Sequence, residues 1–340
     1  MGFDLGRLNR RSLLVSLGCA MVISCARPGV GREPAADNFW TLFRGAFVDA
    51  SGRVVDTGNG NISHSEGQGY GLLLAVLAGD RATFEKMLSW TEGNLARPDV
   101  ALFTWKYDPR LPDPVADPND ATDGDILIAW ALAEAAKRWG GHGWAARSEA
   151  IRSAIHQHLV IMRHGRHLLL PGRIGFAQGD TVTLNPSYFI WPALDLFAAL
   201  DGEATWSAVI SDAQSVLREA KFGAWGLPCD WIQIGADSKV VPSLAHPPRF
   251  GYDAIRIPLY AIAGRRASLA QPEAEFWRSA GGAGGHPPAW IDVTTGERAD
   301  YPLSAGGMAI LRRTLGLPPG PEALDTNYFS AALQALVRAL

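Results

Sequence analysis

Three short stretches of the chain put carboxylates where a purely structural role competes with a chemical one. The first is Asn61-Ile62-Ser63-His64-Ser65-Glu66-Gly67-Gln68-Gly69-Tyr70-Gly71, directly before an apolar run. Ser63 and Glu66 have the spacing of a capping box, and a carboxylate is stabilised at a helix N-terminus. Against that reading, Gly67, Gly69 and Gly71 alternate through the first turns, where each costs about 1 kcal/mol relative to Ala. Such a cost implies a backbone that something approaches closely. The spacing is not the dinucleotide fingerprint, and no strand precedes it. The second stretch is an acidic, proline-broken loop from Asp108 to Asp120 that ends in Ala121-Thr122-Asp123-Gly124-Asp125. With Gly124 as the EF-hand glycine, Ala121 would fall on a ligand position and Trp130 on the closing glutamate, so calcium is not indicated. Thr122 or Asp123 as a helix N-cap is the structural alternative. The third is Phe250-Gly251-Tyr252-Asp253-Ala254-Ile255-Arg256-Ile257-Pro258. Asp253 and Arg256 share a helix face at this spacing, and a surface ion pair is the plain account. In so apolar a segment an ionised carboxylate needs partners and a reason.

Other constellations are weaker. His156, His158, His164 and His167 match no zinc spacing and adjoin Arg163 and Arg166, so a solvated helix end explains them and no metal is expected. A P-loop, a Gly-x-Ser-x-Gly elbow and a His-Glu-x-x-His helix are absent, and no cofactor is indicated. Trp40, Trp105, Trp191 and Trp231 are either core aromatics or platforms for flat ligand faces such as sugars.

Helical-period apolar segments recur at 36–47, 65–78, 80–95, 123–138, 144–163, 187–200, 203–219, 252–264, 270–280, 303–314 and 324–339. Asp80 reads as a cap at the start of one, and Gly140, Gly202 and Gly264 as ends. His167 to Leu184, with a Pro171-Gly172 turn, and Trp231 to Val241, with turn residues at 235–238, have strand character and read as hairpin insertions. No fixed-period repeat is visible, which favours a closed array of helix pairs over an open solenoid.

The 340 residues are 47% hydrophobic and 19% charged, which excludes extensive disorder. A net charge of -3 provides no basic field for nucleic acid. Arg7, Arg10 and Arg11 precede an apolar run from Leu13 to Ile23, too short to span a bilayer. Residues 1–24 read as a signal peptide, by the general or the twin-arginine route. Val22-Ile23-Ser24-Cys25 resembles a lipobox that would lipidate Cys25 and tether the protein to a membrane. Residues 25–35 then form a tether, and 36–340 a single exported domain, periplasmic or secreted. Cys229 is the one cysteine of that body, so no internal disulfide can form there and burial is its expected role.

The segments Ser65-Glu66-Gly67-Gln68-Gly69-Tyr70-Gly71, Ala121-Thr122-Asp123-Gly124-Asp125, Asn185-Pro186-Ser187-Tyr188-Phe189 and Tyr252-Asp253-Ala254-Ile255-Arg256 together resemble glycoside hydrolase family 8, in particular the periplasmic endo-β-1,4-glucanases found beside bacterial cellulose synthases. The resemblance runs from about residue 36 to 335. It implies an all-α (α/α)6 barrel of six inner and six outer helices with small β-hairpin insertions. It implies Glu66 as general acid, Asp253 as general base, Asp123 as the residue that holds and distorts the central sugar, Tyr188 and Arg256 around the attacking water, and Trp105 as a stacking residue. The expected partner is a β-glucan, with chitosan, xylan or mixed-linkage glucan as alternatives and a functional association with cellulose synthase machinery. A non-catalytic polysaccharide-binding protein would explain the aromatics but not three carboxylates at motif positions. A lyase would call for a cationic cleft. The acid role requires a protonated Glu66, with Asp123 as the candidate neighbouring charge, and the base role an ionised Asp253, a form that Arg256 favours.

Overall fold

The computed structural model describes residues 35–280 and 285–340. The segment expected to be a signal peptide, Cys25, almost all of the expected tether and most of the 281–285 glycine run lie outside the described residues. Among these, eleven α-helices follow one another: α1 (Ala35–Phe47), α2 (Ser65–Ala78), α3 (Arg81–Asn94), α4 (Thr122–Trp139), α5 (His142–His158), α6 (Trp191–Asp201), α7 (Glu203–Glu219), α8 (Arg256–Ala263), α9 (Gln271–Ser279), α10 (Ala305–Thr314) and α11 (Tyr328–Ala339). Their ends follow local chemistry. Asp80 caps α3 by accepting from the Thr83 amide at 3.1 Å, and Asn327 caps α11 through the Ser330 amide. Gly79 and Gly140 close α2 and α4 with positive φ.

Each of α2, α4, α6, α8, α10 and α11 packs on the next, and α11 returns to α2, closing a ring. The other five helices lie outside it: α3 on α2, α5 on α4, α7 on α6, α9 on α10, and α1 on both α11 and α2. This is the expected (α/α)6 barrel, with five outer helices among the described residues where six were expected, and the burial pattern explains it. The outer helices bury one stripe each, such as Phe39, Phe43 and Phe47 on α1 or Trp206, Val209, Ala213 and Val216 on α7. By contrast α2 and α4 are buried over most of their circumference, with each fully buried large side chain contributing about 1.5–3 kcal/mol.

The alternating glycines of α2 serve helix packing. A Cβ on Gly69 would collide with Leu127 of α4, one on Gly71 with Met87 of α3, and one on Gly67 with the Tyr328 hydroxyl of α11. Gly124 of α4 lies against Ser65 and the Glu66 amide. What approaches the α2 backbone is therefore its neighbouring helices.

Short strands decorate one another rather than forming a core sheet. β1 (Ser63–His64) pairs antiparallel with β2 (Lys106–Tyr107). The helix expected over 144–163 stops at His158, because β3 (Val160–Arg163) turns through His164 and Gly165, both at positive φ, to pair with β4 (Arg166–Leu169). The strand expected from His167 thus pairs backwards, and Pro171-Gly172 is not a hairpin turn; Gly172 instead packs against the Asp120 carbonyl. β5 (Ala177–Gln178), β6 (Thr181–Leu184), β7 (Ile232–Ile234) and β8 (Val240–Pro242) form one antiparallel sheet in that order, so the 231–241 hairpin is present and is joined to 177–184. β9 (Arg249–Phe250) pairs with β10 (Ile291–Asp292). Of the histidines, His164 bonds the Asp180 carbonyl and His167 the Asp212 carboxylate. Cys229 is fully buried, its thiol pushed up to about 12 by burial.

Candidate active site

The helix N-termini of the ring bring the sequence candidates to one place. Glu66 is the second residue of α2, Asp123 the second of α4 and Arg256 the first of α8, with Asp253 in the turn before it. Ser187 and Tyr188 come from the 3-10 turn Pro186–Tyr188 that precedes α6. Helix N-termini carry partial positive charge, a suitable end of the barrel at which to gather carboxylates.

Arg256 is the hub. Its guanidinium is almost fully buried, at 2% exposure. Nη1 contacts Glu66 Oε1 and donates to Tyr70 Oη at 3.1 Å and Asp123 Oδ2 at 3.3 Å. Nη2 donates to Asp253 Oδ1 at 2.5 Å and Ser187 Oγ at 2.9 Å. Three carboxylates from three separate stretches thus surround one cation, as a buried charge requires. Burial lowers the Arg256 pKa to about 10, which leaves it charged at neutral pH.

The structural alternatives for the acidic residues do not hold. Ser63 is buried and donates to the Val54 carbonyl, and His64 at the N-cap of α2 makes no side-chain cap. Glu66 instead accepts from Tyr70 Oη at 2.7 Å. The N-cap of α4 is Ala121, and Asp123 accepts the Gly124 amide at 2.8 Å through one oxygen and Arg256 through the other. Asp253 and Arg256 form a buried pair and not a surface one.

Burial pushes the Asp123 carboxyl up to about 7, with the Gly124 amide, His64 and Tyr188 acting in the opposite sense. Asp253 is raised well above the ordinary carboxylate range, first by burial and then by the negative charges of Asp230 and Asp123; Asn185 and Trp231 turn toward it and favour its ionised form. Arg256, expected to favour the ionised form, donates to the same carboxylate. Tyr188 is raised well above 10 by burial and by the charges of Asp123 and Asp253, which keeps its hydroxyl a proton donor toward Asp123.

Trp105 lies beside Glu66 because the Ser65 amide donates to its carbonyl at 2.9 Å. Its indole donates to Asp117 at 2.7 Å, and the Lys106 ammonium lies 5.7 Å from its ring. Asp125 on α4 accepts from the Phe103 amide and anchors the same loop. Trp231 is half-buried, with Phe176 parallel to it at 5.8 Å and 4° and His246 stacked on it at 4.6 Å and 13°. Trp40 and Trp191 are core.

Sequence reasoning gave no role to Tyr70, Ser187, Asn185 or Asp230. The first three stood inside quoted motifs, where their polarity among apolar neighbours was the available signal. Asp230 stood in none.

Comparison with known proteins gives a consistent set of matches. Residues 20–338 match the family described as glycosyl hydrolases family 8. The endoglucanase of Cellulomonas uda is 41% identical over 297 residues, covering 86% of this chain and 81% of that protein. The probable endoglucanase of Novacetimonas hansenii is 39% identical over 338 residues, covering 96% and 97%. Among solved structures, the endo-β-1,4-glucanase CMCax of Acetobacter xylinum superposes with a TM-score of 0.84 at 37% identity, covering 90% of this chain and 97% of that one.

Proposed function

The chain belongs to glycoside hydrolase family 8, and from that premise we propose that it hydrolyses β-1,4-glucan internally by a single displacement with inversion. One observation carries the reading: Glu66 and Asp253 are held on different nitrogens of one buried guanidinium. Two carboxylates opposed across a scissile bond are what glycoside hydrolysis requires. Glu66 transfers its proton to the glycosidic oxygen as the bond to the anomeric carbon breaks. Asp253 takes a proton from water, whose oxygen joins that carbon from the opposite face. Asp123 and Tyr188 hold hydroxyls of the central sugar, and Trp105 contributes an aromatic surface beside the acid.

The deciding measurement follows fresh product by proton NMR together with viscosity of carboxymethyl cellulose. The expected result is an early fall in viscosity with α-configured reducing ends, abolished in Glu66→Gln while oligosaccharide binding persists. A β product would remove the inverting mechanism, and hydrolysis of chitosan or xylan in preference would remove cellulose as substrate.

The cellular setting is part of the same proposal. Among the described residues no helix is long and apolar enough to cross a membrane. The run Leu13 to Ile23 and the following Ser24-Cys25 support export with a lipid on Cys25, and the relation to Novacetimonas and Acetobacter enzymes supports work beside a cellulose synthase. Intact mass of the native protein tests the lipid; an unmodified N-terminus beyond Cys25 overturns it.

A further inference from the structure

Asp230 is tied to the base through the backbone of the turn that carries it. Its Oδ1 accepts three backbone amides of one turn: Gly251 at 3.1 Å, Asp253 at 3.1 Å and Ala254 at 2.8 Å. Its own amide donates to the Arg249 carbonyl at 2.7 Å, so the Pro228–Trp231 segment and the 249–254 turn grip each other from both sides. Gly251 packs closely here, since a Cβ on it would come within 3.0 Å of the Trp290 side chain and 3.4 Å of Asp230 Oδ2. Three amide dipoles converging on one oxygen fix the backbone of Asp253 and stabilise a negative charge next to it.

From this geometry, and resting on Asp253 as the base, we infer that Asp230 is a positioning residue for catalysis: it locks the turn that carries Asp253 and, by its charge, strengthens that carboxylate as a proton acceptor. The groups facing Asp253 are Asp230 and Asp123 on the negative side, Arg256 on the positive side, the hydroxyls of Tyr188 and Tyr252, and the polar side chains of Asn185 and Trp231. Asp230 faces Arg249 as well as Asp253. Asp253 is already raised by burial, and Asp230 adds to that rise more than Asp123 does. A base nearer the working pH accepts a proton from water more readily in the transition state.

Asp230→Asn tests the charge alone, because the amide oxygen can still accept the three N–H groups. Removing a negative neighbour lowers the pKa of Asp253, so the acidic limb of the kcat profile should move down by about one pH unit while the plateau kcat falls about tenfold and KM stays within about twofold. Asp230→Ala removes the anchor too and should cost about a further tenfold in kcat. An acidic limb unmoved in Asp230→Asn overturns the inference, as does a loss of rate that is matched by unfolding at the assay temperature. Asp253→Asn in the same series isolates the premise: retained turnover there removes Asp253 as the base, whereas its loss combined with an unshifted Asp230→Asn profile leaves the base in place and removes Asp230 alone.

Discussion

Arg256 and Asp253, three residues apart in sequence, meet in the interior of the barrel with Nη2 2.5 Å from Oδ1. The spacing alone fits a solvated i, i+3 pair worth a few tenths of a kcal/mol. Placed instead at the start of a buried ring helix, with Glu66 and Asp123 on Nη1, the same pair becomes part of an organising network. A cation so deep persists because three carboxylates and two hydroxyls surround its two terminal nitrogens while Nε donates to the Asp253 carbonyl.

Arg256→Lys should therefore fail as a conservative change. An ammonium is a point charge that cannot span Glu66 on one side and Asp253 with Ser187 on the other. Turnover is expected to fall by at least about 100-fold. Stability should drop by about 3 kcal/mol, since carboxylates are left buried without their partner. Denaturant unfolding and initial rates at one pH check both; a variant with wild-type turnover would show that the guanidinium fork is dispensable.

Gly69→Ala probes the packing that sets the site. The new methyl would collide with Leu127, forcing α2 away from α4, the helices that carry Glu66 and Asp123. Overpacking of this kind costs about 1–3 kcal/mol, and small displacements of catalytic groups are felt strongly in rate. The expected result is a lowered thermal midpoint with kcat reduced about tenfold or more, whereas Gly93→Ala on α3, where a Cβ meets nothing within 4 Å, should leave both unchanged.

Most of the helices could be read from the chain because each outer one writes a clear 3.6-residue stripe, as Phe39, Phe43 and Phe47 do. Boundaries went astray where strand pairing overrode local pattern: Val160–Arg163 continues the apolar period of α5 but is captured by Arg166–Leu169. The carboxylates were legible because each is out of place in its setting, Asp253 among aromatics and Glu66 among glycines. The close approach implied by the glycines is present, but a sequence does not say whether a helix or a ligand makes it, and here it is the helices. Asp230 was invisible for a different reason. Its meaning lies in the amides of residues 251–254, and backbone donors leave no trace in side-chain types.

Glu273 on α9 is fully buried, and neither carboxylate oxygen has a hydrogen-bond partner. Burial raises its pKa from 4.5 to about 8, with Lys221 only partly opposing. Since the folded value lies above the unfolded one, the unfolded state ionises first. This residue therefore withdraws stability as pH climbs from about 4.5 and reaches its full effect, a few kcal/mol, above about pH 8. Glu273→Leu should unfold like wild type near pH 4.5, apart from packing, and be increasingly more stable toward pH 9. Urea titrations at the two pH values decide it; a difference between the proteins that does not grow with pH would assign Glu273 a charged partner in solution.

Asp123 is the residue for which rate and affinity should separate. Its carboxylate sits at the start of α4, one oxygen fixed by the Gly124 amide and the other toward Arg256, with Tyr188 alongside. A carboxylate held this rigidly can bond hydroxyls of the central sugar, and such bonds count most as the ring flattens toward an oxocarbenium-like transition state. Longer oligosaccharides keep contacts elsewhere, including the surface of Trp105. Asp123→Ala should accordingly lower kcat by about 100-fold or more while the dissociation constant of a long cello-oligosaccharide changes by less than about tenfold. The pH profile gives a second, independent readout. Asp123 raises the pKa of Asp253 by its charge, so its removal should move the acidic limb to lower pH. An equal loss in kcat and in binding would make Asp123 a uniform binding residue, and an acidic limb left in place would mean that Arg256 screens it from Asp253.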